Sequence, residues 1–333
     1  MEIMHDAVRG GGGCGRLAYQ LATLLALIVP ATARAEYTFT SLDGPAGSLN
    51  ASAYGINNAG QVVGSYYSPD FRYHGYQYGG STYATIDNPL STGNETASGI
   101  NNVGQVVGFN SQGPLSDQDL HGFLYAQNTF TTLDGPSHPL QTFLFGINDA
   151  GAVVGSYSPT LYTLYTGFLY ANNTLTLLKG PSGAISVDAR GINNAGQIVG
   201  DYYDGTTFHG FLYSGGTYTT INAPGGVNGT IISGINNLGQ MVGWYYDAGG
   251  NQHAFLDSGG TFTSLDVPAA YGDGSLARGI NDLGQIVGDY FDPLRGDNNY
   301  GFLATPAAVP EPASIVLCSL GLIAMMGYRR LKL

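Results

Sequence analysis

A ten-residue core, Gly-Ile-Asn-(Asn/Asp)-x-Gly-x-(Val/Ile/Met)-Val-Gly, begins at Gly55, Gly99, Gly146, Gly191, Gly234 and Gly279. Successive starts lie 44, 47, 45, 43 and 45 residues apart. A second block follows each core, as in His74-Gly75-Tyr76-Gln77-Tyr78 and His209-Gly210-Phe211-Leu212-Tyr213. A third follows that, as in Thr217-Tyr218-Thr219-Thr220-Ile221. Periods of ~40–50 residues built from short β segments are the pattern of propeller blades, sheets that bury their faces only against neighbouring copies. Each unit offers four strands. The first ends in Gly-Ile-Asn, and the following Asn-(Asn/Asp)-x-Gly is a tight turn, because Asn, Asp and Gly accept positive φ. The Val-Val-Gly segment, the His-Gly-Phe-Leu-Tyr segment and the alternating Thr/Tyr segment supply the other three.

The ends set the topology. The first three strands occur six times, but the fourth has only five internal copies. The missing copy stands out of order at Tyr37-Thr38-Phe39-Thr40-Ser41-Leu42-Asp43, which matches Thr261-Phe262-Thr263-Ser264-Leu265-Asp266. The expectation is an all-β fold over residues 36–305, a six-bladed β-propeller of ~45-residue, four-stranded repeats. Its ring closes when the N-terminal strand pairs into the last blade, which removes an edge that would otherwise aggregate. An open β-solenoid is the alternative, and it has no need of the displaced strand.

Composition narrows the partners. The chain is 43% hydrophobic, enough for a core, and carries 11 basic against 23 acidic residues, a net charge of −12. Nucleic-acid binding is excluded, because neutralising phosphates takes clustered Lys and Arg.

Both ends read as addresses. Arg9 and Arg16 precede an apolar run from Leu17 to Val29, then Pro30 and Ala33-Arg34-Ala35. This is the pattern of a secretory signal over residues 1–35, with signal peptidase cutting after Ala35. The run is short of the ~20 residues of a comfortable span, although a retained anchor is the competing reading. The other end carries Val309-Pro310-Glu311-Pro312, an apolar stretch from Ala313 to Tyr328, and the basic residues Arg329, Arg330 and Lys332. The basic cluster would stay cytoplasmic and hold the preceding domain outside. Residues 306–333 resemble the PEP-CTERM sorting signal of Gram-negative bacteria, whose recognition motif falls on Pro310, Glu311 and Pro312. The resemblance implies a short transmembrane helix, transient anchoring in the inner membrane and cleavage by an exosortase; a plain tail anchor is the alternative. Cys14 and Cys318 lie in these end segments, so the domain between them contains no cysteine, and it carries a net charge of −15. The repeats themselves, with blocks such as His253-Ala254-Phe255-Leu256, are similar to the extracellular HAF repeats of bacteria. That resemblance covers residues 37–303 and implies an extracellular or cell-surface protein without implying a reaction. Thr166 and Tyr300 replace the histidine in the third and sixth units.

Several residue sets are candidates for chemistry. Asn57, Asn101, Asn148, Asn193, Asn236 and Asn281 end the first strands, where their amides satisfy turn backbone or form a ring that holds a polar ligand. Arg190 and Arg278 share one register, where the other units have Tyr54, Ser98, Phe145 and Ser233. They contact a carboxylate or acidic sugar, or pair with Asp188 and Asp282. Asp201 with Asp204, and Asp289 with Asp292, form Asp-x-x-Asp pairs that offer hard oxygen ligands to Ca²⁺, the one cofactor considered. Further aspartates, Asp70, Asp117, Asp119, Asp247 and Asp297, fall between the second and third strands. His74, His121, His209 and His253 recur once per unit, as hydrogen bonders inside a blade do. Trp244, the only tryptophan, either stacks on a sugar if exposed or fills space if buried. No G-x-S-x-G, H-E-x-x-H or P-loop pattern is present. The function expected is a secreted, non-enzymatic binding or structural module at the cell surface or in the matrix, associated with exopolysaccharide. A glycan-acting propeller hydrolase or lyase is the alternative, and it would require a symmetry-breaking acid and base.

Overall fold

The computed structural model describes residues 36–112, 119–136, 139–160, 164–268, 274–293 and 298–307. The expected export signal, with Ala33 and Ala35, lies outside the described residues. So does the sorting motif Val309, Pro310, Glu311, Pro312 with Arg329 and Arg330. Among the described residues there is no α-helix, and none long and apolar enough to cross a membrane.

The chain enters through β1 (Tyr37–Leu42). The first strands of the units are β2 (Asn50–Ile56), β6 (Glu95–Ile100), β10 (Gln141–Ile147), β14 (Ser186–Ile192), β18 (Thr230–Ile235) and β22 (Ser275–Ile280). The second strands are β3 (Val62–Tyr67), β7 (Val106–Ser111), β11 (Val153–Ser158), β15 (Ile198–Tyr203), β19 (Met241–Tyr246) and β23 (Ile286–Asp292). The third are β4 (Tyr73–Tyr78), β8 (Leu120–Ala126), β12 (Thr166–Ala171), β16 (Phe208–Ser214), β20 (Gln252–Ser258) and β24 (Asn298–Pro306). The fourth are β5 (Tyr83–Ile86), β9 (Thr129–Thr132), β13 (Thr174–Leu178), β17 (Thr217–Ile221) and β21 (Thr261–Ser264).

These strands form antiparallel meanders arranged as a β-propeller. Four sheets are separate and four-stranded: β2–β5, β14–β17, β18–β21, and β22-β23-β24-β1. The other eight strands, β6–β13, form one sheet where two separate ones were expected. The join is a single parallel pair, Leu120 with Gln141, held by the Leu120 N–H donating to the Leu140 carbonyl at 3.0 Å. At the same place in other units a side chain intercepts that donor: Asn94 Oδ1 accepts from the Tyr73 N–H and Ser186 Oγ from the Tyr165 N–H. The displaced N-terminal strand pairs antiparallel with β24, from Tyr37 opposite Pro306 to Leu42 opposite Gly301.

Faces of successive units bury one another. Val63 and Ile86 pack with Ala97, Ile100, Val106 and Phe123 of the next unit. Leu42, Ala53, Ile56 and Val62 meet Val287 across the junction of last unit and first. Tyr76, Phe123, Phe168, Phe211, Phe255 and Phe302, one per third strand, are fully buried. Each such ring contributes roughly 1.5–3 kcal/mol.

Hydrogen bonds then tie the units into a circle. The Nδ2 of Asn57 donates to the Asn101 carbonyl at 3.2 Å, Asn101 to Asn148 at 3.0 Å and Asn148 to Asn193 at 3.1 Å. Asn193 donates to Asn236 at 3.1 Å, Asn236 to Asn281 at 3.0 Å, and Asn281 back to Asn57 at 3.0 Å. A second circle runs through the next residue. Backbone N–H groups of Asn58, Asn102, Asp149, Asn194, Asn237 and Asp282 each donate to the Oδ1 of the following member, at 2.8–2.9 Å.

Replacing Asn148 by Ala removes the bond to Asn193 and leaves the N–H groups of Ala150 and Ala152 without their acceptor. The expected loss is about 1–3 kcal/mol in urea denaturation; an unchanged midpoint would show the circle to be a bystander. Glu95 supports a second prediction. At its position Thr142, Thr230 and Ser275 use a hydroxyl to accept the N–H of Gly135, Ala223 and Val267. Glu95 accepts the Asn88 N–H with both carboxylate oxygens instead, and burial pushes its pKa from 4.5 up to about 8 against that hydrogen bond. A folded-state pKa above the unfolded one means stability is lost as pH rises from about 4.5 to about 8. Glu95→Thr is therefore expected to melt above the wild type by a margin that grows across that interval. A margin independent of pH would refute the assignment.

Candidate functional site at the axis

Each first strand slips by one residue against its second strand, between Ala53 and Gly55, Ala97 and Gly99, Leu144 and Gly146, Ala189 and Gly191, Ile232 and Gly234, and Ala277 and Gly279. Such a bulge leaves its extra residue unpaired and re-aims the side chain. The extra residues are Tyr54, Ser98, Phe145, Arg190, Ser233 and Arg278, and all six line one cavity of about 350 Å³. Below it the axis narrows, because the glycines after the bulges approach one another. A Cβ on Gly99 would lie 2.6 Å from the Phe145 carbonyl, and one on Gly279 2.7 Å from that of Tyr54, so no other residue fits. The cavity is a funnel with a tight floor.

The residue after Val-Val-Gly on each second strand matches the bulge residue of its own unit. Aromatic Tyr54 and Phe145 go with Ser65 and Ser156. Ser98 and Ser233 go with aromatic Phe109 and Trp244. Arg190 and Arg278 go with Asp201 and Asp289. Size complements size and charge complements charge, so the funnel changes character around its rim while the rest of the unit repeats.

The arginines are built in. Arg190 donates through Nε to Asp201 Oδ1 and through Nη2 to Asp188 Oδ2 at 3.2 Å. Arg278 donates through Nε to Asp289 Oδ1 at 2.8 Å. Asp201 and Asp289 are 2% and 1% exposed, so they sit behind the guanidinium groups. Burial disfavours both cations, but these carboxylates outweigh it and raise both pKa values above the ordinary arginine value. Asp188 is a partner as expected, whereas Asp282 is not. Asp282 lies in the second circle, where Asn58 and Asn237 donate to its Oδ2 at 2.7 and 2.9 Å. Trp244 is 7% exposed and offers no face to a sugar. Its ring lies under both cations, 4.7 Å from the Arg278 Cζ and 5.9 Å from that of Arg190. Facing them is an aromatic wall, in which Phe143 stacks on Phe145 at 5.9 Å and meets Phe109 edge-on at 4.8 Å.

The six asparagines each spend an amide donor on the next unit. Asn57, for example, donates through Nδ2 to Gln61 Oε1 and the Asn101 carbonyl, while its Oδ1 accepts from the Ala59 and Gln61 N–H groups. In Asn57 both donors and both acceptor sites are thus filled inside the protein, whereas Asn148, with Ala152 in place of the glutamine, is bonded at Nδ2, among the described residues, to the Asn193 carbonyl alone. The expected calcium pairs also come apart. Asp201, on β15, turns inward to Arg190, while Asp204, in the loop after that strand, accepts from Thr206, Thr207 and His209. Asp289 is likewise bound to Arg278, and Asp292, three residues on, is buried apart from it. Among the described residues no group of three His, Cys, Asp or Glu side chains is arranged to hold a metal ion. Asp117 and Asp297 lie outside the described residues.

The histidines are clamped instead. His74 lies between Asp87 at Nδ1 and Asp70 at Nε2, both 3.0 Å away. His253 lies between Asp266 at 3.0 Å and Asp247 at 3.4 Å. His121 reaches Asp134 at 2.7 Å and Asp119 at 3.2 Å, and His209 reaches Asn222 at 3.2 Å and Asp204 at 3.1 Å. Each clamp ties a third strand to the end of the fourth and to the loop before the third.

No protein-family model and no curated protein sequence matches the chain. Solved structures similar to it include AofleA of Arthrobotrys oligospora, at 11% identity and a TM-score of 0.50, over 83% of this chain and 90% of that one. A gluconolactonase of Xanthomonas campestris aligns at 8% identity and a TM-score of 0.50, over 81% and 90%. A lectin of Aleuria aurantia in complex with Fucα1-6GlcNAc aligns at 12% identity and a TM-score of 0.48, over 80% and 100%.

The clamps make stability depend on pH. Burial opposes protonation of His74, but Asp87 and Asp70 outweigh it and raise the pKa; for His253 the hydrogen bond to Asp266 leads the same upward shift. Their contribution is complete below the ordinary histidine value of 6.5 and fades as pH climbs through the raised values. On the acid side, Ser68 lowers Asp70 and Asn251 lowers Asp247, so these carboxylates stabilise above 3.8 and lose that as they protonate. The melting-point gap between wild type and a His74→Gln, His253→Gln variant is expected to be widest between about pH 4 and 6.5 and to shrink toward pH 8. A gap that widens with rising pH would contradict the clamp.

Proposed function

We propose that the protein is a secreted, non-enzymatic carbohydrate-binding propeller of six blades, with the axial funnel as its binding site. The blade count follows from treating the eight-stranded sheet as two blades joined by the Leu120–Gln141 pair, in keeping with the six-membered circles of asparagine bonds. The observation that carries the function is the confinement of variation. Units that repeat their turns, their buried third-strand aromatics and their asparagines diverge at the bulge residue, which lines the funnel, and at the second-strand partner that supports it. A scaffold needs no such divergence, whereas a site for an asymmetric ligand does.

Carbohydrate is the class that fits. Aromatic walls take the apolar faces of sugar rings, the two guanidinium groups donate to their oxygens, and Ser98 and Ser233, whose hydroxyls donate to backbone carbonyls, offer their oxygens as acceptors. The fold alone decides nothing, since the propellers it resembles include both a lectin and a gluconolactonase. Against catalysis, Asp188, Asp201 and Asp289 are all bonded to arginine, which keeps them from acting as a free acid and base pair. The terminal segments extend the proposal: signal peptidase and an exosortase process the chain, it passes through the inner membrane, and it works at the cell surface or matrix of a Gram-negative bacterium beside exopolysaccharide.

A glycan array probed with the protein tests this reading. Wild type is expected to capture a glycan that Phe145→Ala holds at least ~10-fold more weakly, with little change in melting temperature. Capture unaffected by Phe145→Ala would move the site away from the funnel, and turnover of the captured glycan would replace binding by catalysis.

A further inference from the structure

We infer that the funnel is selective for a sugar residue bearing a carboxylate, held by the free edge of the Arg278 guanidinium with Arg190 beside it. The inference rests on the carbohydrate-binding reading and names the class of sugar.

Three observations carry it. First, the arginines are held by their inner edge. Asp289 takes Nε of Arg278, and among the described residues no group of the protein bonds its two Nη atoms. Arg190 is half committed, with Nε on Asp201 and Nη2 on Asp188. A guanidinium fixed at Nε presents a planar pair of donors, the geometry that fits a carboxylate two-pronged. Second, the two cations are neighbours. Both lie over the Trp244 ring, Arg278 also over Tyr54 at 5.4 Å and Arg190 over Phe145 at 5.2 Å. Each is therefore fixed in direction by aromatic rings; burial disfavours the Arg278 cation and the charge of Arg190 adds to that, although Asp289 raises its pKa overall. An anion at the Nη edges relieves the repulsion between the two cations; a neutral sugar does not.

Third, the funnel has two unlike walls. Arg190 and Arg278, with Trp244 buried beneath them, come from three successive units, and Ser98, Phe109, Phe143 and Phe145 come from the second and third units, the third adjoining Arg190 through Phe145. A uronic-acid ring matches both walls at once, with its carboxylate toward the guanidinium edge and its C–H face toward the phenylalanines. The glycine floor stops the sugar at that depth. A bare anion would leave the aromatic wall empty, and a neutral hexose would leave the Nη donors unpaired.

The test compares three probes on the full-length protein by calorimetry: a short oligogalacturonate, its methyl ester and a neutral galactan of the same length. The acid is expected to bind at least ~10-fold tighter than the ester or the neutral chain. The paired variant Arg278→Tyr with Asp289→Ser copies the combination the protein already uses at Tyr54 and Ser65, so the fold is kept and no buried carboxylate is stranded. It is expected to lose the preference for acid while retaining binding of the neutral chain. If all three probes bind the wild type equally, carboxylate selectivity is overturned and carbohydrate binding stands. If none binds, and the glycan array is also blank, the carbohydrate reading falls with it. If the paired variant keeps the full preference, the carboxylate sits elsewhere and the assignment to Arg278 is wrong.

Discussion

Closure of the ring depends on an amide that must donate and accept at the same time. Apolar packing between sheets is strong but non-directional, so it does not fix how neighbouring units rotate against each other. The asparagine at the end of each first strand supplies the direction. Its oxygen accepts two N–H groups of its own turn, and its nitrogen reaches a glutamine side chain where one follows and the next unit's main chain. At 3–7% exposure, any unfilled donor or acceptor there would cost about 1–3 kcal/mol. Aspartate has no donor and serine only one, which explains why all six copies are Asn. The next residue contributes only Oδ1 to its circle, and there the sequence is free to use Asn or Asp. It does so, with Asp149 and Asp282 each taking amide donors from the members on both sides.

A scaffold closed this way leaves the funnel end free to differ. Buried ion pairs seldom stabilise a fold relative to apolar packing, because desolvation consumes most of the attraction. Two Arg–Asp pairs at equivalent positions are therefore poor choices for stability, when a serine paired with an aromatic fills the same place in the four other units. Trp244 beneath them adds a buried indole N–H with no partner. Two buried Arg–Asp pairs and an unpartnered indole N–H gathered at one cavity mark a place where the repeat departs from apolar packing.

The period and the displaced strand at Tyr37 were legible because they are matters of counting, and the closing pair of β1 with β24 follows from them. The bulges were not, since a one-residue slip depends on which residues pair across two strands and leaves no mark in either strand alone. The fusion of β6–β13 turned on whether one N–H met a side chain or a carbonyl, Asn94 and Ser186 in two units and the Leu140 carbonyl in the third. The calcium pairing of Asp289 with Asp292 failed on a rule the sequence did contain: in a strand, residues three apart point to opposite faces. Arg278 was placed with Asp282 by sequence proximity, although its partner Asp289 lies across the hairpin.

The two ends of the axis have divided the chemistry between them. At the asparagine end the side chains are consumed by the circles, and the space left is about 70 Å³. At the funnel end the loops carry exposed apolar groups, among them Leu49, Phe71, Leu90, Ile185, Phe208 and Val227, around a cavity with unused donors. The net charge of −15 between the terminal segments bears on how that cavity works. An acidic glycan meets a repelling surface at long range, although screening confines that repulsion to about 8 Å at physiological salt. Only at contact does it find guanidinium groups backed by the buried Asp201 and Asp289, with Asp188 beside Arg190 in the lining. Long-range charge governs the rate of encounter, while contact geometry governs how long a partner stays. A surface of this sign with a funnel of this sign favours selection by residence over capture by attraction, and it lets acidic chains pass unless they present a carboxylate in the one orientation the arginines accept.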